Sequence, residues 1–477
     1  MKQLYIAGDW CNASSTDTIP VVEPATGETF STIANGNAAD IDTAVRAARA
    51  ARNGEWGALN PLQRGRLLMR MAQIIDDHRD ELIALEARDT GKPMKQAAAD
   101  ITAVARYFEF YAGAADKFHG ETIPYLNGYA VSVVHEPHGV TGHIIPWNYP
   151  AQMFGRTIAP ALAVGNATVL KPAEDACMTP LRLAELASRA GFPAGAINVV
   201  TGEGATAGAA LSAHPDIDFI SFTGSPEAGV LVQRAAAANY TPCVMELGGK
   251  SPHLVFEDAD LDAALPLVVG AILQNGGQTC SAGSRVLVHE SILRPFVNAL
   301  QERFSRVRAG TPEMDLDCGP MISRKQQERV KRFLQHAHDN NVPVLARGAI
   351  APACSANGFY VQPTVFGPVP EDDLLAREEV FGPVLSVMPF TDDEDAIRLA
   401  NATDYGLIAA VWTRDGSRQH RITRRLRCGQ VFINCYGAAG GAELPFGGVK
   451  KSGYGREKGF SALEEFCITK TVVNQYG

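Results

Sequence analysis

No Cys-x-x-Cys pair occurs among the nine cysteines, and nine is an odd count. That spacing and parity argue against both a zinc cluster and a disulfide framework. Long apolar runs are missing too; stretches such as Leu261–Leu273 are too short and interrupted to span a bilayer. The opening segment meets an acid at Asp9 and lacks a signal-peptide core, which predicts a cytoplasmic protein. No extended Lys/Arg run is present, and 43 basic against 52 acidic side chains leave a formal charge of −9. Such an anion is a poor partner for nucleic acid or an anionic membrane. There is no G-x-G-x-x-G, so the ordinary dinucleotide fingerprint is absent. No internal repeat or low-complexity segment occurs either, and no metal is expected.

What is present is globular. With 46% hydrophobic and 20% charged residues, 45 Gly and 28 Pro spread along the chain, disorder and fibrous repeats are excluded. At 477 residues the chain exceeds what one core supports, and roughly three units are expected. Helix is expected over Ala44–Ala51. A longer one is capped at Asn60-Pro61, carries Leu68, Met71 and Ile75, and stops at Thr90-Gly91-Lys92-Pro93. An amphipathic stretch covers 97–117. Thr122–Leu126 and Tyr129–His135 flank Asn127-Gly128, which predicts a hairpin with a type I′ turn.

From residue 138 strands and helices alternate. Strands are expected at Val140–Pro146, Ala167–Lys171, Ala196–Val200, Ile217–Phe222 and Cys243–Leu247. Helices are expected near Ala151–Val164, Thr179–Arg189, Ala205–Ala213 and Pro226–Ala238. This spacing is that of βαβ crossovers in an open parallel sheet, which binds ligands at its strands' carboxyl ends. A second α/β stretch runs over 250–445, and a β-prone tail, Phe466–Val473, closes the chain.

Two Gly-rich patches stand about thirty residues apart: Met245-Glu-Leu-Gly-Gly-Lys-Ser-Pro252 and Gly276-Gly-Gln-Thr-Cys-Ser281. The first puts Glu246 at a strand end; the second puts Cys280 after a small-residue loop. Glycines there admit a ligand close to the backbone, and a thiol and a carboxylate so placed suit a nucleophile and a general base. Taken alone, a free cysteine is mostly a small buried hydrophobe and a glutamate mostly a surface or capping acid.

Context decides between these readings. Pro146-Trp-Asn-Tyr-Pro150, Lys171-Pro-Ala-Glu174, Phe222-Thr-Gly-Ser225, Met245-Glu-Leu-Gly-Gly-Lys250 and Gly277-Gln-Thr-Cys280 follow one another in order. Glu378-Glu-Val-Phe-Gly-Pro383, Gly429-Gln-Val-Phe-Ile-Asn434 and Pro445-Phe-Gly-Gly-Val-Lys-Lys-Ser-Gly453 continue the series. With these eight motifs in register over nearly its whole length, the chain resembles the NAD(P)-dependent aldehyde dehydrogenase superfamily. The resemblance implies oxidation of an aldehyde to an acid. Cys280 would form a thiohemiacetal, and Asn148 with the Cys280 amide would hold the oxyanion. Glu246 would activate the water that hydrolyses the thioester, with Glu457 relaying protons nearby. A CoA-acylating relative, or a non-catalytic protein with this fold, is the alternative; Glu246 argues against the first and the intact Cys280, Glu246 and Asn148 against the second.

The resemblance also assigns the cofactor. Gly224, Ser225 and the following helix N-terminus would meet pyrophosphate, and Lys171 and Glu174 the adenosine ribose. Glu379 would hold the nicotinamide ribose and Phe381 would pack at the nicotinamide end. A carboxylate at Glu174 repels a 2′-phosphate, favouring NAD over NADP. The implied fold is a Rossmann-type sheet over 1–118 and 138–248, a catalytic α/β domain over 249–445, and a β oligomerisation unit. That unit comprises the 119–137 hairpin and the 446–477 tail, pairing across subunits in a homodimer or homotetramer. Tyr149, Gln152, Arg156 and Phe446 are expected to meet substrate. Arg156 stands where semialdehyde dehydrogenases acting on succinic semialdehyde grip a far carboxylate, which suggests a remote polar or anionic group. Gln274 stands where their second arginine lies, so only half the clamp is present, and this speaks against succinic semialdehyde itself.

Overall fold

The computed structural model describes residues 3–437 and 440–476; Met1, Lys2, Ala438, Ala439 and Gly477, which close or interrupt the expected domain ranges, lie outside the described residues. Five parallel strands form the centre of the first sheet, in the order Ile197–Val199, Ala167–Pro172, Val140–Ile145, Phe219–Thr223, Cys243–Glu246. In chain order this is 3-2-1-4-5, the doubly wound arrangement. Its crevice opens where the order reverses, outside the carboxyl ends of the first and fourth strands. Those ends run into Pro146-Trp147-Asn148 and Gly224-Ser225. Ala167–Pro172 and Phe219–Thr223 are buried throughout, as a sheet covered on both faces demands. Short antiparallel strands finish the edges: Leu4–Ile6 with Asp9–Cys11 on one side and Gly453–Tyr454 on the other.

The helices follow the expected pattern with one break. Asn60 caps Pro61–Asp77 through both halves of a capping box with Gln63. The run then divides, because the His78 ring bonds the Ile74 carbonyl (2.8 Å) and His78 leaves helical torsions. A second helix, Arg79–Thr90, ends at Gly91 with φ +77°, and Met94–Ala114 follows. Near Ala205–Ala213 the helix starts as a wide turn, Gly204–Gly208, before Ala209–Ser212.

The second sheet runs Val344–Arg347, Thr364–Phe366, Val384–Phe390, Arg285–His289, Pro252–Val255, Ile408–Trp412, Gln430–Ile433. All its pairs are parallel except the one made by the edge strand Val344–Arg347. The chain leaves the first sheet at Glu246 and enters the second at Pro252, so the Gly248-Gly249 crossing lies between the two sheets.

Two expectations for the small β unit need correction. The hairpin strands are Glu121–Ile123 and Tyr129–Pro137, joined by a five-residue loop in which Gly128 (φ +85°) but not Asn127 is left-handed. A type I′ turn needs positive φ at both central residues, so the turn is of another kind. The closing strand, Cys467–Gln475, pairs with Tyr129–Pro137 of its own chain, from Cys467↔Pro137 to Gln475↔Tyr129, so the hairpin grows to three strands. The range 446–477 is also not one unit. Gly453–Tyr454 belongs to the first sheet, and Ala462, Leu463 and Phe466 sit in that sheet's core.

Candidate active site

Glu246 ends its strand beside the crossing, and Cys280 lies on the loop before Arg285–His289, the neighbour of Pro252–Val255. Glycine brings the two together: a Cβ on Gly249 would stand 2.4 Å from the Cys280 carbonyl oxygen. The Cys280 loop also bends through left-handed Asn275, Gly276 and Gly277. At Gly277 (φ +74°) a Cβ would lie 2.1 Å from the Gly382 carbonyl, so this position requires glycine. Between the sheets opens a cavity of about 850 Å³ whose wall includes Asn148, Arg156, Glu246, Cys280 and Glu379.

Asn148 precedes the helix Pro150–Val164, which starts with Pro at its first turn and is buried nearly all round. Its Nδ2 donates to the Gln278 carbonyl (2.9 Å), one of two amide hydrogens, on the loop that carries Cys280. Tyr149 OH shares a 2.7 Å hydrogen bond with Thr279 Oγ1, and Gln152 Nε2 donates to Asp100 (2.6 Å). All three expected side chains therefore face the cavity, fastened to the nucleophile loop or to a buried acid.

Burial pushes the Cys280 thiol up to about 12, opposed first by Arg156. Burial likewise raises Glu246 well above the usual carboxylate range, again with Arg156 as the main opposing charge. Arg156 stands between two acids, its Nε 2.5 Å from Glu457 and an Nη 3.6 Å from Glu246, with its guanidinium 4.2 Å from the Phe446 ring centroid. Arg156 borders the cavity, and its guanidinium faces two protein carboxylates, the pairing that a cation on a buried helix calls for. Glu457 also accepts from Ser221 (3.2 Å); Thr157 donates to Ser221 (2.9 Å) and is held by His143 (2.6 Å). This fixed hydroxyl chain orients Glu457 toward Arg156 and, through it, toward Glu246.

On the other side of the cavity, Ser225 caps Pro226–Ala237 by accepting from the Ala228 amide (3.2 Å). Gly224 and Ser225 line the cavity, and the buried Thr223 hydroxyl beside them has no hydrogen-bond partner. Glu379 accepts from the Gly249 amide (2.8 Å), and burial lifts its carboxyl to about 7. Phe381, left-handed at φ +58°, meets Trp147 edge-on at 5.3 Å. Lys171 and Glu174 pair at 2.8 Å next to the cavity and not in its wall, which Asp175 reaches from the same loop.

Several side chains escaped the sequence reading. Lys458 is pulled down to about 7 by burial and then by Arg156, donates to the Gly440 carbonyl (2.7 Å) and lines the cavity. It follows Glu457 directly, which was its only signal. Lys92 read as part of a helix stop, yet its ammonium lies on the Asn148 carbonyl (3.0 Å). Gln278, inside the cysteine motif, donates to the Asn275 carbonyl (3.0 Å) and accepts from the Ile322 amide (2.9 Å), which fixes the loop. Among the described residues no group of three His, Cys, Asp or Glu side chains is placed to hold a metal, and no helix is long and apolar enough to cross a membrane.

The aldehyde dehydrogenase family model matches residues 10–472. The chain belongs to the aldehyde dehydrogenase family. It is 43% identical over 475 residues to aldehyde dehydrogenase family 2 member B4, mitochondrial, of Arabidopsis thaliana, covering 99% of this chain and 88% of that one. A crystal structure of a Burkholderia cenocepacia chain assigned to the aldehyde dehydrogenases superposes with a TM-score of 0.99 at 59% identity, covering 100% of both. PnpE in complex with nicotinamide adenine dinucleotide gives 0.96 at 40% identity, covering 100% of this chain and 98% of that one. The protein is therefore an enzyme that oxidises small-molecule aldehydes to acids with a nicotinamide cofactor, on the α/β fold expected from its motifs.

Proposed function

We propose that Cys280 is the nucleophile, Asn148 with the Cys280 amide the oxyanion site, and Glu246 the base that activates water. The observation carrying this is the convergence of a thiol, an amide donor and a carboxylate on one cavity that also contains a helix N-terminus. Cys280 Sγ bonds to the aldehyde carbon as its proton passes to an acceptor, and the carbonyl oxygen becomes an oxyanion. The second Asn148 Nδ2 hydrogen and the Cys280 N–H receive that charge, and each such donor contributes about 3 kcal/mol. After oxidation the acyl group remains on sulfur as a thioester. Glu246 then takes a proton from water, the water oxygen attacks the thioester carbon, and the carbon–sulfur bond breaks to return the thiolate. A raised carboxyl serves this step, since the deprotonated form is a stronger proton acceptor than an ordinary carboxylate.

NAD fits the opposite wall: the partnerless Thr223 hydroxyl, Gly224, and Ser225 at the helix start offer polar groups and close approach. When bound, it accepts the hydride leaving the thiohemiacetal carbon. Glu379 and Phe381 would hold its nicotinamide half and Lys171 with Glu174 its adenosine half. Burial works against charge on Glu174, but Lys171 outweighs it and holds the carboxyl below its usual range, so a negative charge faces any 2′-phosphate. NAD is accordingly the cofactor we assign over NADP.

The substrate end mixes aromatic Tyr107, Tyr149 and Phe446 with the amides of Gln96, Gln152 and Gln274. It suits an aldehyde with a polar group remote from the carbonyl, met by amides and not by Arg156. A homodimer or homotetramer is part of the proposal, because Tyr125 and Leu126 on the hairpin loop, Val473 on the closing strand and Tyr476 just beyond it are exposed. Nine free cysteines suit a reducing compartment, for which we assign the cytoplasm; the Arabidopsis relative is mitochondrial by name.

The test is aldehyde-dependent NAD reduction without CoA, with Cys280→Ser as control. Loss of turnover with NAD binding retained is expected; turnover near wild type in that variant refutes the assignment of the nucleophile, and a requirement for CoA refutes Glu246 as the hydrolytic base.

A further inference from the structure

We propose that Lys92 is a positioning residue for the oxyanion site: its buried ammonium fastens the backbone of Asn148 and so fixes where the Asn148 side chain meets the developing charge. The proposal rests on the reading of Asn148 as an oxyanion donor and extends it to residues far away in sequence.

Lys92 follows the left-handed Gly91 that ends Arg79–Thr90. Its side chain is wholly buried, and Nζ has three partners. It lies 3.1 Å from Glu86 Oε1, forms a short contact with Asp100 Oδ2, and donates to the Asn148 carbonyl at 3.0 Å. An ammonium has three hydrogens, so this set uses all of them. The same carbonyl accepts from Asn275 Nδ2 (2.8 Å), on the loop that carries Cys280. Asp100 in turn accepts from Gln152, four residues beyond Asn148. The segment 148–152 is thus held at its carbonyl, at its side-chain amide through Gln278, and one helical turn later through Asp100.

An ordinary structural ion pair does not require the third partner. A buried lysine needs an acid, and Glu86 or Asp100 alone would supply one. Here two acids surround one cation, and the cation's remaining hydrogen goes to the backbone of the residue that would stabilise the oxyanion. Both acids are raised by burial, while Lys92 stays above the usual lysine range because Asp100 and then Glu86 outweigh its desolvation. The ammonium therefore keeps its charge, and its hydrogen bond to the carbonyl is of the stronger, charge-assisted kind. Catalysis by a preorganised donor is sensitive to sub-ångström placement, so rigidity imposed on the backbone of the donor residue has kinetic value.

The test is a double-mutant cycle between Lys92→Met and Asn148→Ala, read on kcat and KM for one aldehyde with NAD. Lys92→Met is expected to lower kcat about tenfold or more with a smaller change in KM, and to have almost no further effect once Asn148 is alanine. Equal losses in both backgrounds would make Lys92 a general support of the fold and overturn the proposal. If Lys92→Met does not fold, Lys92→Met with Asp100→Asn preserves the net charge of the cluster and enters the same cycle, with the same criterion. Wild-type turnover in Asn148→Ala alone would overturn the oxyanion reading together with the proposal, whereas a slow Asn148→Ala with additive losses would overturn the proposal only.

Discussion

At the scale of single residues, the proposed reaction depends on buried charges around one cavity. Glu246→Gln is expected to slow thioester hydrolysis more than oxidation, so a burst of NADH should precede a much reduced steady state. Rapid-mixing absorbance decides this, and equal loss of both phases would place Glu246 before the thioester. Arg156 opposes the burial that raises both Cys280 and Glu246. In the proposed mechanism both groups act in deprotonated form, so activity should rise with pH toward the alkaline side. Removing the cation with Arg156→Met should move that limb of the kcat/KM profile upward by about one pH unit or more. Because its guanidinium faces Glu457 and Glu246, the change should be equal for a carboxylate-bearing aldehyde and a neutral one. A selective effect on the anionic substrate would instead support a clamp by Arg156. Glu174→Ser should raise KM for NAD and relax the rejection of NADP, measured as the ratio of kcat/KM for the two cofactors.

Local chemistry made much of the element scale readable. The box at Asn60 and Gln63, the stop at Gly91 and the alternation from residue 138 all depend on neighbours in sequence, so strands such as Val140–Ile145 and helices such as Pro226–Ala237 lie where the pattern puts them. Asn60→Ala should cost about 1 kcal/mol of stability, seen as a lower denaturation midpoint with the denaturant dependence unchanged. The misread elements depended on contacts or torsions that no short pattern contains. A ring-to-carbonyl bond at His78 split one helix, and pairing with a strand more than three hundred residues away turned a hairpin into a three-stranded sheet. Asn-Gly signals a turn, but its type followed from where the strands could pair.

At the scale of the whole molecule, several exposed apolar side chains belong to that three-stranded sheet and its hairpin loop, among them Ile123, Leu126, Val472 and Val473. Leu126 is 62% exposed and Val473 56%, and apolar side chains exposed together on one small sheet suit an interface. Changing both to aspartate should shift sedimentation velocity toward the monomer, and an unchanged species would remove this face as the interface.

The eight motifs by themselves determined the family, the nucleophile and base candidates, and the glycines that bring their loops together, because each motif is a local requirement of backbone torsion or chemistry. Only the tertiary structure decided what Arg156 and Lys92 are paired with. A buried charge takes its role from its partners, and here those partners, Glu457, Glu246 and the Asn148 carbonyl, lie between 56 and 301 residues away along the chain.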